Sequence, residues 1–144
     1  MLSRDQLQQC TLLGRFFEDA GREGFSGRPF VDGFMGSETG AHFFLSYDRL
    51  QWLGLRYMRD EFLEAAALLP GPKPGPTNPE ALFWTGYVYR WWGYQTGETP
   101  AEINRQMPAS EMFAAWEGYH TLGVDETIER LREEAKERNG RACA

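Results

Sequence analysis

The chain has 144 residues and a net charge of -6; 42% of its residues are hydrophobic and 15% are aromatic. A chain of this length can bury roughly 68–70% of its unfolded surface as one domain, so disorder is expected only at the ends. The negative net charge disfavours binding to the phosphate backbone of nucleic acids. No apolar run reaches the ~18–20 residues that span a membrane. The N-terminus also turns polar at once, so we expect no signal peptide. Taken together, these features predict a cytoplasmic location and no nucleic-acid or membrane partner.

Cysteine and histidine are too few and too widely spaced to predict a metal site. Cys10 and Cys143 lie at opposite ends of the chain, and neither His42 nor His120 is close to them in sequence. Zinc sites and redox motifs need close spacings such as Cys-x-x-Cys. The sequence also lacks a P-loop, a dinucleotide fingerprint and a nucleophile elbow. We therefore expect reduced thiols, no metal and no cofactor.

Caps and helical spacing predict the helices of the first half. Ser3 and Gln6 have capping-box spacing, which starts a helix from about Arg4 to Ala20. A short helix is predicted from Pro29 to Met35, and a longer amphipathic one from Ser46 to Leu69. The apolar stripe of the longer helix comprises Tyr47, Leu50, Leu53, Tyr57, Met58, Phe62, Ala65, Leu68 and Leu69.

An aromatic-rich helix dominates the second half of the chain. Four prolines between Pro70 and Pro76 exclude a helix there and predict a surface loop. Asn78 then caps a helix from Pro79 to about Thr96. That helix is apolar nearly all round, so we expect other helices to enclose it. Gly86 and Gly93 lie on nearly the same face of it and predict close approach of a neighbouring backbone.

Further helices follow in quick succession. The run from Thr99 to Glu102 combines a cap residue, a proline and a glutamate, which is typical of a helix start. Ser110 is a candidate cap for the next helix. A last, highly charged helix is predicted to begin at Val124 or Asp125 and to end at Asn139-Gly140.

The fold class predicted from these elements is all-α. No alternating strand pattern competes with the helical one anywhere in the sequence. We expect a single helical domain over residues 1–144, with a frayed C-terminus from about residue 139. Its architecture would be a bundle of about five to seven helices around the aromatic-rich helix. The sequence leaves self-association into a homo-oligomer open.

Arg90 is the only arginine of the aromatic-rich helix. A buried guanidinium needs a carboxylate or several acceptors, because an isolated buried charge is very costly. The favoured interpretation is an ion pair with Glu61 or Asp48 on the long helix. In the alternative interpretation, Arg90 anchors a carboxylate or phosphate ligand in a pocket between helices. The other residues predicted for that pocket are Tyr87, Tyr94, His120 and Glu61.

His120 also has two interpretations. Histidine titrates near neutrality, which suits a general acid or base. It equally suits the C-terminal cap of a helix, where a charged imidazole is favoured. We favour the cap, because catalysis needs a second positioned group that the sequence does not show. No catalytic residue is therefore assigned, and binding is favoured over an enzyme.

A partner-binding surface is predicted on the long helix. Trp52 falls near the border of its apolar stripe, close in sequence to Arg56 and Arg59. Tryptophan and arginine are the residue types that dominate binding hot spots. These three residues form the predicted surface. The thin apolar stripe of the charged C-terminal helix is a second, weaker candidate for docking a partner chain.

Four clusters of residues resemble a group of small uncharacterised bacterial proteins. They are Ser46-Tyr47-Asp48-Arg49 with Gln51-Trp52, Trp84-x-Gly86-Tyr87-x-Tyr89-Arg90-x-Trp92, Thr96-Gly97-Glu98 and Tyr119-His120-Thr121-Leu122. Proteins of that group look like the neutralising partner in two-gene toxin–antitoxin modules. The resemblance covers about Phe34 to Leu131. It implies a bacterial cytosolic antitoxin with a nearby-encoded toxin as its partner, and it supplies no catalytic residues.

Two functions from different classes stay open. The favoured one is a non-catalytic protein-interaction domain that binds and masks a bacterial protein. The alternative is a small anionic-ligand binder, or an enzyme, with a pocket around Arg90. A DNA-binding helix-turn-helix from Pro100 to Tyr119 is weaker, since Arg105 is its only basic residue.

Overall fold

The computed structural model of the chain describes residues 1–45, 54–71 and 75–143, and within them it contains eight α-helices and no β-strand. In chain order they are α1 (Arg4–Arg22), α2 (Gly27–Met35), α3 (Glu38–Phe43), α4 (Leu55–Ala66), α5 (Pro79–Thr96), α6 (Pro100–Gln106), α7 (Ala109–Tyr119) and α8 (Val124–Cys143). The predicted all-α class is confirmed. The described ranges hold more helices than the predicted five to seven, partly because Ser37 caps the six-residue α3.

Side-chain caps fix several helix starts that the sequence predicts. At α1, the Gln6 amide donates to Ser3 Oγ over 3.1 Å, and the Ser3 amide donates to Gln6 Oε1 over 2.8 Å. Thr99 and Glu102 form the same capping box at α6. Asn78 Oδ1 accepts from the Glu80 amide at the start of α5. These bonds satisfy amides that have no partner inside the helix.

Helices α1 and α5 cross with backbone against backbone. A Cβ atom added at Gly86 would lie 2.5 Å from the Leu13 carbonyl oxygen and 2.8 Å from the Gly14 Cα. One added at Gly14 would lie 2.8 Å from the Phe83 carbonyl oxygen. Gly86 therefore has the close backbone neighbour that the sequence predicts. Gly93 instead faces the side chain of Phe44.

The buried side chains form one contiguous core. Helix α5 packs against α1, α6, α7 and α8, and α1 also packs against α2 and α4. Phenylalanine rings from α1, α2 and α4 meet with centroid separations between 4.8 and 6.4 Å. They are Phe16, Phe17, Phe30, Phe34 and Phe62. Such tilted and edge-on pairs add to the free energy of burying the rings.

Helix α4 differs from the long helix predicted over Ser46 to Leu69. Gly54, with a φ of 91°, is the N-cap of α4, and a right-handed helix cannot continue through that conformation. The chain leaves α4 at Ala67, which has a φ of 55°. The predicted burial of Leu69 is wrong, because the segment after Ala67 takes a different direction and leaves its side chain 86% exposed. The part of the predicted stripe before Gly54 lies outside the described residues.

Only part of the predicted stripe of α4 is buried. Met58 and Phe62, one turn apart, are each 1% exposed. Tyr57 is 40% exposed, and Ala65 is also exposed. Helix α4 therefore rests on the core through a narrow line of contact.

The last two helices also differ in detail from the prediction. Helix α7 has Pro108 as its N-cap, so Ser110 lies within the helix and does not cap it. Helix α8 continues through Asn139-Gly140 to Cys143. It buries Ile128, Leu131 and Ala135 against the core.

Replacing Gly86 with alanine tests the crossing of α1 and α5. The added methyl group meets backbone atoms, so we expect Gly86→Ala to lower the free energy of unfolding by about 1–3 kcal/mol. Gly118 of α7 is the matched control, because a Cβ there meets nothing within 4 Å. Gly118→Ala should stabilise the chain by up to about 1 kcal/mol. Urea denaturation measures both changes, and equal effects of the two substitutions would contradict the packing described.

Candidate functional site

Arg90 of α5 is buried between aromatic rings. Its side chain is 2% exposed. The central carbon of the guanidinium lies 3.7 Å from the centre of the Tyr94 ring and 4.6 Å from that of Phe44. Phe43 is farther, at 5.9 Å. Aromatic faces attract a cation, so these rings partly replace the water that burial removes.

Hydrogen bonding to Arg90 is sparse. Its Nη2 donates to the Phe44 carbonyl oxygen over 3.2 Å, whereas the buried Nε has no partner among the described residues. Burial is the main cause that lowers the pKa of Arg90, and the electrostatic effects of Tyr94 and Cys10 oppose it. A guanidinium titrates so far above neutrality that it stays charged. The site is therefore a buried cation with one donor, the Nε–H, that no described residue accepts.

The ion pair predicted for Arg90 is not found within the described part of the chain. Glu61, the first predicted partner, lies on α4. Asp48, the second, lies outside the described residues. The predicted ion pair of Arg90 with Glu61 or Asp48 stays a prediction. Sequence spacing can indicate that an arginine is buried. It does not locate the neighbours found here, which are aromatic rings and a main-chain carbonyl.

Two other predicted ligand-binding residues lie near Arg90. Tyr94 stacks on the guanidinium, and Tyr87 lies about one turn before Arg90 on the same helix. The buried Cys10 thiol of α1 interacts electrostatically with all three side chains. Burial raises the pKa of Cys10 to about 12, against the opposing effect of Arg90. The thiol is therefore neutral near pH 7 and does not neutralise the guanidinium.

His120 is placed apart from these contacts. It is the exposed C-cap residue of α7, and its ring stacks on Trp116 with centroids 4.4 Å apart. Its Nδ1 is 2.7 Å from the Trp116 carbonyl oxygen. This is the capping position that the sequence favours for His120.

Phe44 and Gly93 are the parts of the site that sequence reasoning missed. A Cβ atom at Gly93 would lie 2.9 Å from the Phe44 ring and 3.2 Å from Nη1 of Arg90. The absence of a side chain at Gly93 therefore gives Phe44 the space to stack on the guanidinium. The spacing of Gly93, three residues after Arg90, was the available signal, but it does not identify which ring fills the space.

A second candidate site is a cleft between α1 and α4. It has a volume of about 420 Å³ and is lined by Phe16, Asp19, Glu23, Leu55, Arg56 and Arg59. Arg59 forms an ion pair with Glu23, and Arg56 is exposed. Two residues of the predicted partner-binding surface are thus brought together here. The third, Trp52, lies outside the described residues.

An apolar groove adjoins this cleft, and we call it the α4 groove. Its volume is about 490 Å³, and its walls are Glu23, Phe25, Arg59, Asp60, Leu63, Leu68, Leu69 and Pro70. Leu69 is the most exposed of the large apolar side chains that line the groove. The main chain beside the groove is held by a bond of 2.8 Å from the Gly71 amide to the Gly24 carbonyl. The position of an exposed leucine is therefore fixed by the fold.

The Thr96-Gly97-Glu98 cluster has a structural explanation. Gly97, with a φ of 76°, is the C-cap of α5. The Glu98 carboxylate then accepts a bond of 2.9 Å from Trp92 Nε1 and another from Gln106 Nε2, and the Glu98 amide donates to Thr96 Oγ1 over 3.1 Å. Burial acts to raise the pKa of Glu98, but these bonds and nearby Arg132 outweigh it, and the net effect lowers that pKa.

The described residues form neither a candidate metal centre nor a membrane-spanning helix. Over the described ranges, no group of three or more histidine, cysteine, aspartate or glutamate side chains is placed to hold a metal ion. None of the helices found there combines the length and the apolar character that crossing a membrane requires.

The lowered pKa of Glu98 gives a pH-dependent prediction. A carboxyl pKa below its unfolded value of about 4.5 stabilises the fold above that pH, and the contribution is lost as pH falls through the folded-state pKa. Glu98→Gln should therefore cost about 1–2 kcal/mol at pH 7 and less at pH 3. Glu117→Gln, at an exposed position of α7, is the control and should change little at either pH. Urea denaturation at both pH values measures the change in the free energy of unfolding. An equal loss of stability at pH 3 and pH 7 would contradict this prediction.

Comparison with protein-family models, with curated proteins and with solved structures gives no match to this chain. Function therefore has to be argued from the two candidate sites that its own residues form. One is the aromatic surroundings of Arg90, and the other is the α4 groove with its adjoining cleft.

Proposed function

We propose that this chain is a non-catalytic protein-interaction domain that binds and masks a bacterial protein, in the manner of an antitoxin. The observation that carries the proposal is the α4 groove. It presents Leu68, Leu69 and Pro70 beside the buried Phe25 at the surface of the molecule. Apolar surface that is grouped together and rimmed by polar residues is typical of a protein-binding site.

The attachment of α4 suits such a role. Of its twelve residues, Met58 and Phe62 are the ones that are buried. Leu63 is half-buried, packs against the edge of the core and also lines the groove. A partner that covers the groove would therefore bury apolar area that the fold of this chain leaves uncovered, and burial of that area would drive association.

The charges around the groove define the chemistry of the partner. Asp19, Asp60 and Arg56 flank the Arg59–Glu23 ion pair, so three acidic and two basic side chains line the cleft and the groove. The chain as a whole carries a charge of -6. The partner that fits is a basic protein segment with one or two large apolar side chains, since opposite charge speeds encounter and apolar anchors supply affinity.

The resemblance to antitoxin-like proteins supports a specific kind of partner. Antitoxins of two-gene modules neutralise the product of the neighbouring gene by binding it. An acidic helical domain with an apolar groove is suited to masking a basic surface. We therefore propose that the partner is a cytoplasmic toxin encoded next to this chain.

Co-expression with the neighbouring gene product tests the proposal. We expect that product to inhibit growth alone, and to be neutralised by this chain and recovered with it in an affinity purification. Leu69→Asp should weaken the association at least tenfold, because a charge replaces an exposed apolar anchor. Ala114→Asp, an exposed position on α7, adds the same charge elsewhere and should bind like the wild type.

Dissociation constants from calorimetry separate these outcomes. A neighbouring product that neither inhibits growth nor binds this chain would overturn the antitoxin proposal. Binding that is equally strong in Leu69→Asp and in the wild type would show that the partner binds another surface.

A further inference from the structure

The guanidinium of Arg90 lies against two aromatic rings, and part of its edge is unused by the described residues. Tyr94 and Phe44 lie over the planar group at 3.7 and 4.6 Å. One nitrogen, Nη2, donates to the Phe44 carbonyl oxygen. The Nε–H is buried and has no partner among the described residues. Stacking of this kind fixes the plane in which any further acceptor has to lie.

The charge of Arg90 is not neutralised by its described neighbours. Among the described residues, the Cys10 thiol and the Tyr94 phenol are the ionisable groups that act on Arg90, and burial raises the pKa of both, so neither is negative near pH 7. A main-chain carbonyl and aromatic rings solvate a cation without cancelling its charge. A buried cation with a free donor is a strong attractor for an anion.

We propose that Arg90 anchors a binding site for one small oxoanion, a carboxylate or a phosphate group. The anion lies in the plane of the guanidinium, at the edge that carries Nε, and accepts its hydrogen bonds there. Two oxygens of a carboxylate or of a phosphate match this planar fork, whereas a lysine ammonium in the same place offers no such plane. Tyr94 and Phe44 line the site.

The construction around Arg90 favours a site that opens at Phe44. This half-buried residue is the C-cap of the six-residue α3 and is followed by the exposed Leu45. Gly93 leaves the space in which its ring lies. A small outward movement of the ring admits an anion to the guanidinium edge. No residue of this site lines the α4 groove, so the two proposals stand or fall separately.

Melting temperatures in the presence of anions test the site. The full chain is heated in phosphate, in acetate and in chloride at the same ionic strength. We expect a saturable rise of a few °C with phosphate or acetate over chloride, because a ligand that binds the folded state alone stabilises it. A response to phosphate alone assigns a phosphate ligand, and a response to acetate alone assigns a carboxylate. Absence of both overturns the proposal.

Two lysine variants localise the effect. Arg90→Lys keeps the charge and loses the planar fork, so the saturable rise should disappear. Arg15→Lys, at an exposed position of α1, should retain it. A rise that survives in Arg90→Lys overturns the assignment to Arg90. If Arg90→Lys does not fold, calorimetric titration of phosphate into Tyr94→Leu replaces it, with at least a tenfold weaker affinity expected than in the wild type and equal affinity overturning the site.

Asp48 supplies the decisive control for an internal partner. If this carboxylate fills the fork in the native chain, the wild type binds no added anion and Asp48→Asn acquires binding. That outcome overturns the proposal. Equal anion binding by the wild type and Asp48→Asn supports it.

Discussion

The contact between Gly14 of α1 and Gly86 of α5 is the constraint on which the other features depend. Each glycine lies against a main-chain carbonyl of the opposite helix, so neither position tolerates a side chain without separating the helices. This close crossing places Cys10 beside the arginine side of α5. On its other side, α1 presents Phe16 to the rings of α2 and to the cleft under α4. Both candidate sites thus take their position from one helix pair.

The two sites differ in what burial does to them. At Arg90 a charge is enclosed, and its described neighbours satisfy it only in part, which is the ground for proposing a negative ligand there. At the α4 groove the reverse holds, because apolar side chains such as Leu69 stay in water although the core is complete without them. Each departs from the rule that polar groups lie outside and apolar groups inside, and such departures mark functional surfaces more often than ordinary core positions do.

Local chemistry explains how far the sequence predicts this molecule. The capping box at Ser3 and the Asn78-Pro79 start are short-range signals, and α1 and α5 begin where they indicate. The prediction of one long helix is wrong at Gly54, because an apolar repeat does not show that one glycine adopts a positive φ. The surroundings of Arg90 were missed for a different reason: Phe44 is 46 residues away in sequence, and only the tertiary fold brings it there. Of the residues predicted to bind a partner, Arg59 lines the α4 groove and Arg56 the adjoining cleft, whereas the apolar wall of the groove depends on the turn at Ala67.

The pairing of α1 with α5 also has a consequence for synthesis of the chain. Helix α1 ends at Arg22 and α5 ends at Thr96, so roughly 70 residues separate the completion of the two partners. At about 5–20 residues per second, the apolar face of α1 waits some 4–15 s for the helix that covers it. During that interval Leu13 and Phe17 are available to chaperones and to neighbouring nascent chains. The close contact of α1 with α5 is thus also a late one to form.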